Sequence, residues 1–242
     1  MNQLLVNTSM TTPIAGQCTT YKCHGPSHAN SVHQFSSQKS NKMETQLQTP
    51  SPPVNVFKDY VSTQHTTLNI YCHDRIFKRV TVTDSTGQTL FRVEGTSFGT
   101  SWSWRRKVLD GSDNHIFDFR HKSIDIKNGW IIENPDGDKL CSLVHKSQLT
   151  HSHSAVDATV RTQFGEEVLV IMRPNDHAAL NATISVDDKA IATIRKVEDN
   201  DLARLGTRDR TVWEVQVASG VDLSLILILA LCRAEMAHVW RQ

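Results

Sequence analysis

The chain has 242 residues and a formal net charge of +1, room for one large domain with or without a tail. No global charge field demands nucleic acid or a membrane as partner, and no nucleic acid is expected. Its five cysteines are odd in number, and the N-terminus has no basic segment leading into an apolar one, so the expectation is free thiols in a reducing, cytoplasmic compartment.

Residues 1–55 are rich in Ser, Thr, Gln, Asn and His and show neither a helical nor an alternating period. Such a composition buries too little apolar surface to offset ordering entropy, which predicts a disordered polar tail. Pro50, Pro52 and Pro53 close it as a stiff linker. Within it, Cys18, Cys23, His24 and His28 invite a zinc reading, but their spacing matches no common finger. No metal and no cofactor are expected.

From Val56 to Gln242 the texture changes to short alternating runs broken by turn residues. Thr81–Thr83 and Thr89–Val93 flank Asp84-Ser85-Thr86-Gly87, and Lys107–Leu109 and Phe117–Phe119 flank Asp110–Asn114. Trp130–Ile132 and Leu140–Val144 flank Asn134–Asp138, and Val160 and Val168–Met172 flank Phe164-Gly165-Glu166. Ala182–Ile184 and Ile191–Ile194 flank Val186–Lys189, and Val212–Val217 is a last strand. Asp, Asn and Gly turns between runs of period two are the hairpin signal, and their repetition predicts an antiparallel sandwich or barrel.

Leu223–Ala237 follows, and from Leu225 to Cys232 every residue is apolar. A helix apolar all round is buried or in a membrane. A spanning helix needs roughly 20 apolar residues, and Arg233 and Glu235 end this run early, so no transmembrane segment is expected. Ser219 or Asp222 is placed to cap it. A wide barrel needs filling, and outside it half the helix would face water at ~25 cal/mol per Å². The fold expected is therefore mainly β, a closed antiparallel barrel around a buried C-terminal α-helix.

Taken in order, residues 80–95, 105–122, 130–146, 184–196 and 217–231 resemble the LURP-one-related (LOR) family, whose members share the tubby C-terminal-like fold. The resemblance covers about residues 56–238 and implies about twelve strands around the helix. It departs from the family where Cys232, Arg233 and Glu235 break the apolar run, from which the last turn is expected to emerge from the barrel.

Catalysis is not expected: no nucleophile elbow and no Gly-rich phosphate loop is legible. His151 and His153 lack a third ligand nearby and read as a polar loop between strands. Trp102 and Trp104 read as core. Arg105, Arg106 and Lys107, Arg120 and Lys122, Lys146, and Arg195 and Lys196 each open or close a strand. Stacked hairpins would bring these ends to one rim able to hold anionic phospholipid headgroups. The competing reading is that strand ends carry Lys and Arg to discourage aggregation. The resemblance implies lipid chemistry, because tubby domains bind phosphoinositides and phospholipid scramblases are similar in fold. It equally implies a protein partner, because plant LOR relatives are placed in stress and defence signalling. The function expected is a non-enzymatic regulator, peripheral at membranes, or else a protein-interaction module without a lipid ligand.

Overall fold

A computed structural model describes residues 45–51, 53–74, 77–95, 105–122, 129–148, 151–176, 180–200 and 211–239. The strands are β1 (Thr66–Cys72), β2 (Arg79–Thr83), β3 (Thr89–Gly95), β4 (Arg105–Asp110), β5 (His115–Lys122) and β6 (Gly129–Glu133). They continue as β7 (Lys139–Gln148), β8 (His151–Arg161), β9 (Glu167–Pro174), β10 (Asn181–Val186), β11 (Lys189–Asp199) and β12 (Thr211–Val217), and α1 is Leu223–Val239. Each strand pairs antiparallel with the next, and β12 closes the ring on β1. The fold is the twelve-stranded closed barrel that the alternation and the resemblance led one to expect.

Alternation fills the lumen. On β1, Leu68, Ile70 and Cys72 point inward; on β12, Trp213, Val215 and Val217 do the same. Residues Leu225 to Cys232 of α1 are each at most 2% exposed. A helix with no polar face has found walls on every side, and burial of apolar surface is the dominant favourable term in folding.

Antiparallel order gives the barrel two unlike ends. At the turn end, short turns join β2 to β3, β4 to β5, β6 to β7, β8 to β9 and β10 to β11. The first three share one device. Asp84 Oδ1 accepts the Thr86 and Gln88 N–H groups, Asp110 Oδ1 accepts those of Ser112 and Asn114, and Asn134 Oδ1 accepts that of Asp138. Three residues after each of these, Gly87, Asp113 and Gly137 take positive φ, the left-handed conformation that Gly and Asp tolerate best. A register shift follows in each hairpin, at Val82/Thr83, Val108/Leu109 and Ile132/Glu133, as one extra turn residue requires. The loop end carries most of the longer connections.

Residues 45–62 cross the turn end as a strap. Met43–Gln242 forms one unit, so residues 45–55, assigned by composition to the polar tail, here pack on the barrel. Gln48 N donates to Ala190 O (2.7 Å) and Gln163 N to Asn55 O (3.0 Å). Val54 and Val56 are buried, and Phe57 stacks on Phe117 with centroids 5.8 Å apart. The rest of the tail, including Cys18, Cys23, His24 and His28, lies outside the described residues.

Two local expectations are corrected. His151 and His153 begin β8 and are not in a loop, because β7 and β8 run on and pair as far as Gln148 and His151; their side chains lie outside the described residues. The helix does not emerge at Arg233: Arg233 and Met236 stay buried, because the charges in this turn find partners inside the barrel. Trp102 and Trp104 lie outside the described residues.

Candidate functional site

All eight basic positions singled out in the sequence lie toward the loop end, since Arg105, Arg106 and Lys107 open β4, Arg120 and Lys122 close β5, Lys146 is near the end of β7, and Arg195 and Lys196 lie in the last half of β11. Strand order separates them into two sectors. β4 to β7 are contiguous, whereas β11 is separated from β4 by β3, β2, β1 and β12 on one side of the ring and from β7 by β8, β9 and β10 on the other.

The β4–β7 sector is a ladder of charges. Arg105 and Arg120 stand directly opposite each other in the β4–β5 register. Arg105 Nη2 donates to Asp118 Oδ2 (2.6 Å) and lies 3.8 Å from Glu133 Oε2, and Arg120 donates to the other Glu133 oxygen. His115 Nε2 is 3.2 Å from Asp118 Oδ1. Lys107 is exposed on the same face as Arg105. Lys122 and Lys146 take up strand positions in this sector; their side chains lie outside the described residues.

The alternation that exposes Arg105 and Lys107 turns Arg106 inward. It is 2% exposed, and its Nη1 donates to Glu235 Oε2 at 3.0 Å, an oxygen that also accepts from Trp130 Nε1 at 3.0 Å. Its guanidinium lies 5.4 Å from the Phe119 ring centroid. On the far side, Arg233 and Lys196 lie 5.3 and 5.5 Å from the Trp213 ring centroid. Lys196 Nζ also donates to Asp199 (2.7 Å), and Arg195 pairs with Glu214 across β11–β12 (2.8 Å). The basic set thus divides: Arg105, Lys107, Arg120 and Arg195 reach the surface, while Arg106 and Lys196 are interior. The partners Asp118, Glu133, Arg233 and Glu235 were missed from sequence. Their signal was present: Arg106 shares the inward parity of Val108, and Glu235 sits one turn beyond residues that the barrel surrounds.

At the other end of α1, Asp222 is fully buried. Its Oδ2 accepts the Val56 and Phe57 N–H groups (2.8 and 2.7 Å) and its Oδ1 accepts that of Ser224 (2.9 Å). Of the two capping candidates, Asp222 caps the helix and at the same time pins the strap. Burial raises its carboxyl above the ordinary range against the pull of those donors. Tyr60 OH donates to Asp110 Oδ2 (3.2 Å); burial, then the Asp110 charge, pushes its phenol up to about 12.

Among the described residues no group of three or more His, Cys, Asp or Glu is placed to hold a metal ion. Burial pushes the Cys141 thiol up to about 12 and the Cys232 thiol well above its ordinary value, so neither offers a thiolate nucleophile at neutral pH. No described helix is long and apolar enough to cross a membrane.

Comparison with known proteins agrees with this architecture. A search of functionally curated proteins returned no match. An X-ray structure of a protein from Arabidopsis thaliana is similar in fold, with a TM-score of 0.50 at 18% identity, covering 75% of this chain and 96% of that one. The model of the LURP-one-related family matches residues 66–234, from the first residue of β1 into the charged turn of α1. With the barrel and its central helix in place across that span, the chain belongs to the LURP-one-related family.

Proposed function

We propose that this protein is a non-enzymatic, cytoplasmic regulator that docks peripherally on membranes by binding anionic phospholipid headgroups. The observation that carries the reading is the outer face of β4 and β5 at the loop end. There Arg105 and Arg120 stand opposite each other with Lys107 exposed on the same face, and Lys122 and Lys146 hold positions in the same sector. Asp118 and Glu133 orient the two guanidinium groups and neutralise part of their charge. A headgroup phosphate offers the same bidentate acceptor geometry as a carboxylate with more charge. Arg106 supports the site from inside the barrel, and Arg195 and Lys196 lie in the other sector.

Vesicle sedimentation tests this directly. Full-length protein is mixed with phosphatidylcholine vesicles, with and without phosphatidylserine or phosphoinositides, from about 0.1 M to about 1 M salt, over which the screening length falls from ~10 to ~3 Å. Binding is expected only with anionic vesicles, weakening as salt rises, and lost on replacing Arg105, Lys107, Arg120 and Lys122 with Ser at an unchanged circular dichroism spectrum. Equal binding by that variant removes the lipid site from these positions. A second reading, a protein-interaction module with no lipid ligand, is favoured by Phe164 at the β8–β9 turn and Leu169 on β9, which are 71% and 55% exposed. Under it the protein stays in the supernatant at every headgroup composition.

A further inference from the structure

The strap contains Thr49-Pro50-Ser51-Pro52-Pro53, two hydroxyl residues each followed directly by proline. A residue before proline is kept out of the helical region and held extended, the shape in which a kinase cleft takes its substrate. Thr49 and Ser51 are both exposed, whereas Pro50 between them is buried. Thr49 is also a contact of the strap: its Oγ1 lies 2.9 Å from Ser219 Oγ. Gly220, at φ +76, fits beneath it so closely that an added Cβ would come 2.8 Å from Thr49 Cγ2. Two residues further on, Asp222 caps the central helix and holds the Val56 and Phe57 N–H groups.

We propose that Thr49 is the target of a proline-directed protein kinase and that its phosphorylation undocks the strap from the turn end. The kinase breaks the bond between the γ-phosphorus of a nucleoside triphosphate and its bridging oxygen and forms a bond from Thr49 Oγ1 to that phosphorus. The hydroxyl proton passes to the kinase's base and the nucleoside diphosphate leaves. The product carries about −1.5 to −2 charge at neutral pH. The hydroxyl pair with Ser219, in which either oxygen can donate, loses the Thr49 donor, and the bulk and charge of the phosphate are added beside a methyl group that Gly220 already seats closely. The positive end of α1 does not draw the phosphate in, because the Asp222 carboxylate already occupies it. With Pro50 buried, the kinase takes the strap in its lifted form, and the phosphate then holds it there, a shift of a pre-existing equilibrium. Ser51, exposed on the far side of Pro50, provides the internal comparison: a phosphate there leaves the seat of Thr49 intact.

The full-length protein is incubated with a mitogen-activated, proline-directed kinase and ATP, phosphates are located by mass spectrometry, and cleavage within residues 45–62 by a dilute protease is timed. Phosphate on Thr49 is expected, with strap cleavage about tenfold faster, since proteolysis follows the population of the open form. Ser51→Ala keeps this response, and Thr49→Val, which preserves the packing, loses it. A synthetic peptide of residues 44–58 is labelled in parallel. A labelled peptide with an unlabelled protein overturns the proposal by showing that the strap does not lift. Absence of phosphate on Thr49 in both, or phosphate on Thr49 with unchanged cleavage, overturns it equally.

Discussion

The two ends of this barrel are stabilised by different physics. At the turn end, short-range hydrogen bonds dominate: Asp84, Asp110 and Asn134 each close their own hairpin, and Asp222 ties helix and strap with backbone donors. At the loop end, long side chains meet in ion pairs, Arg106 with Glu235 across 129 residues and Arg105 with Asp118 across neighbouring strands. The first kind of contact fixes the strand register. The second leaves charged groups near a surface where a ligand can compete for them, and that is where the proposed binding face lies.

The difference is sharpened most by unpairing the interior charges. Arg106→Met leaves Glu235 in the lumen with Trp130 as its side-chain donor among the described residues, and breaking a buried pair typically costs about 3–5 kcal/mol. Chemical denaturation of Arg106→Met, Glu235→Leu and the double variant should show both single changes strongly destabilising and the double one recovering much of the loss. Additive losses would mean that the pair is not a unit.

At the turn end, Asp222→Ala strands the Val56 and Phe57 N–H groups, and hydrogen bonds to a charged group are each worth about 1.5–3 kcal/mol. The midpoint of urea unfolding should fall accordingly, whereas Asp222→Asn, which keeps an acceptor, should lose less. A smaller loss is expected from a chain begun at Val56, which lacks the Gln48 and Asn55 backbone bonds and buried Val54. It should melt below a chain begun at Met43; equal melting temperatures would show the strap before Val56 to be idle.

The smallest effect separates the turn aspartates from Asp222 by pH. At Asp84 the Thr86 hydroxyl leads in lowering the carboxyl value; at Asp110 burial opposes, but hydrogen bonds from Asn114, Ser112 and Tyr60 outweigh it. Their contribution is full above the ordinary carboxylate range and is lost as pH falls through the lowered values. Asp222 works in the opposite sense: its contribution is full below the ordinary range and declines as pH rises through its raised value. Melting temperature against pH should therefore lose part of its acid-side fall in Asp110→Asn and gain steepness there in Asp222→Asn.

The legibility of the sequence follows the same division. Hairpins set by local turn chemistry were readable, because Asp, Asn and Gly announce the conformations they adopt. The helix was readable because eight consecutive apolar residues, Leu225 to Cys232, leave no polar face. The strap was not: Val54 and Asn55 lie in a Pro-rich stretch, and what holds it comes from far along the chain, Gln163 donating to Asn55 and Asp222 accepting from Val56 across 166 residues. Residue order alone presents the basic triplet at 105–107 as one surface, although period-two alternation sends its middle member inward. In the sequence Arg233 and Glu235 mark a point where the helix would leave the barrel, because their partners Arg106, Trp130 and Trp213 come from strands that only the closed topology brings near.

The claim on which both ends depend is that α1 is the core of the barrel, spanning from Asp222 at the turn end to Glu235 at the loop end. Ending the chain at Gly220 tests it most directly. Without the helix, the inward faces of twelve strands lose their filling, and the truncated protein should be insoluble or show no cooperative thermal transition. A soluble truncated protein that unfolds cooperatively would mean that the barrel stands without its helix, and would contradict the account.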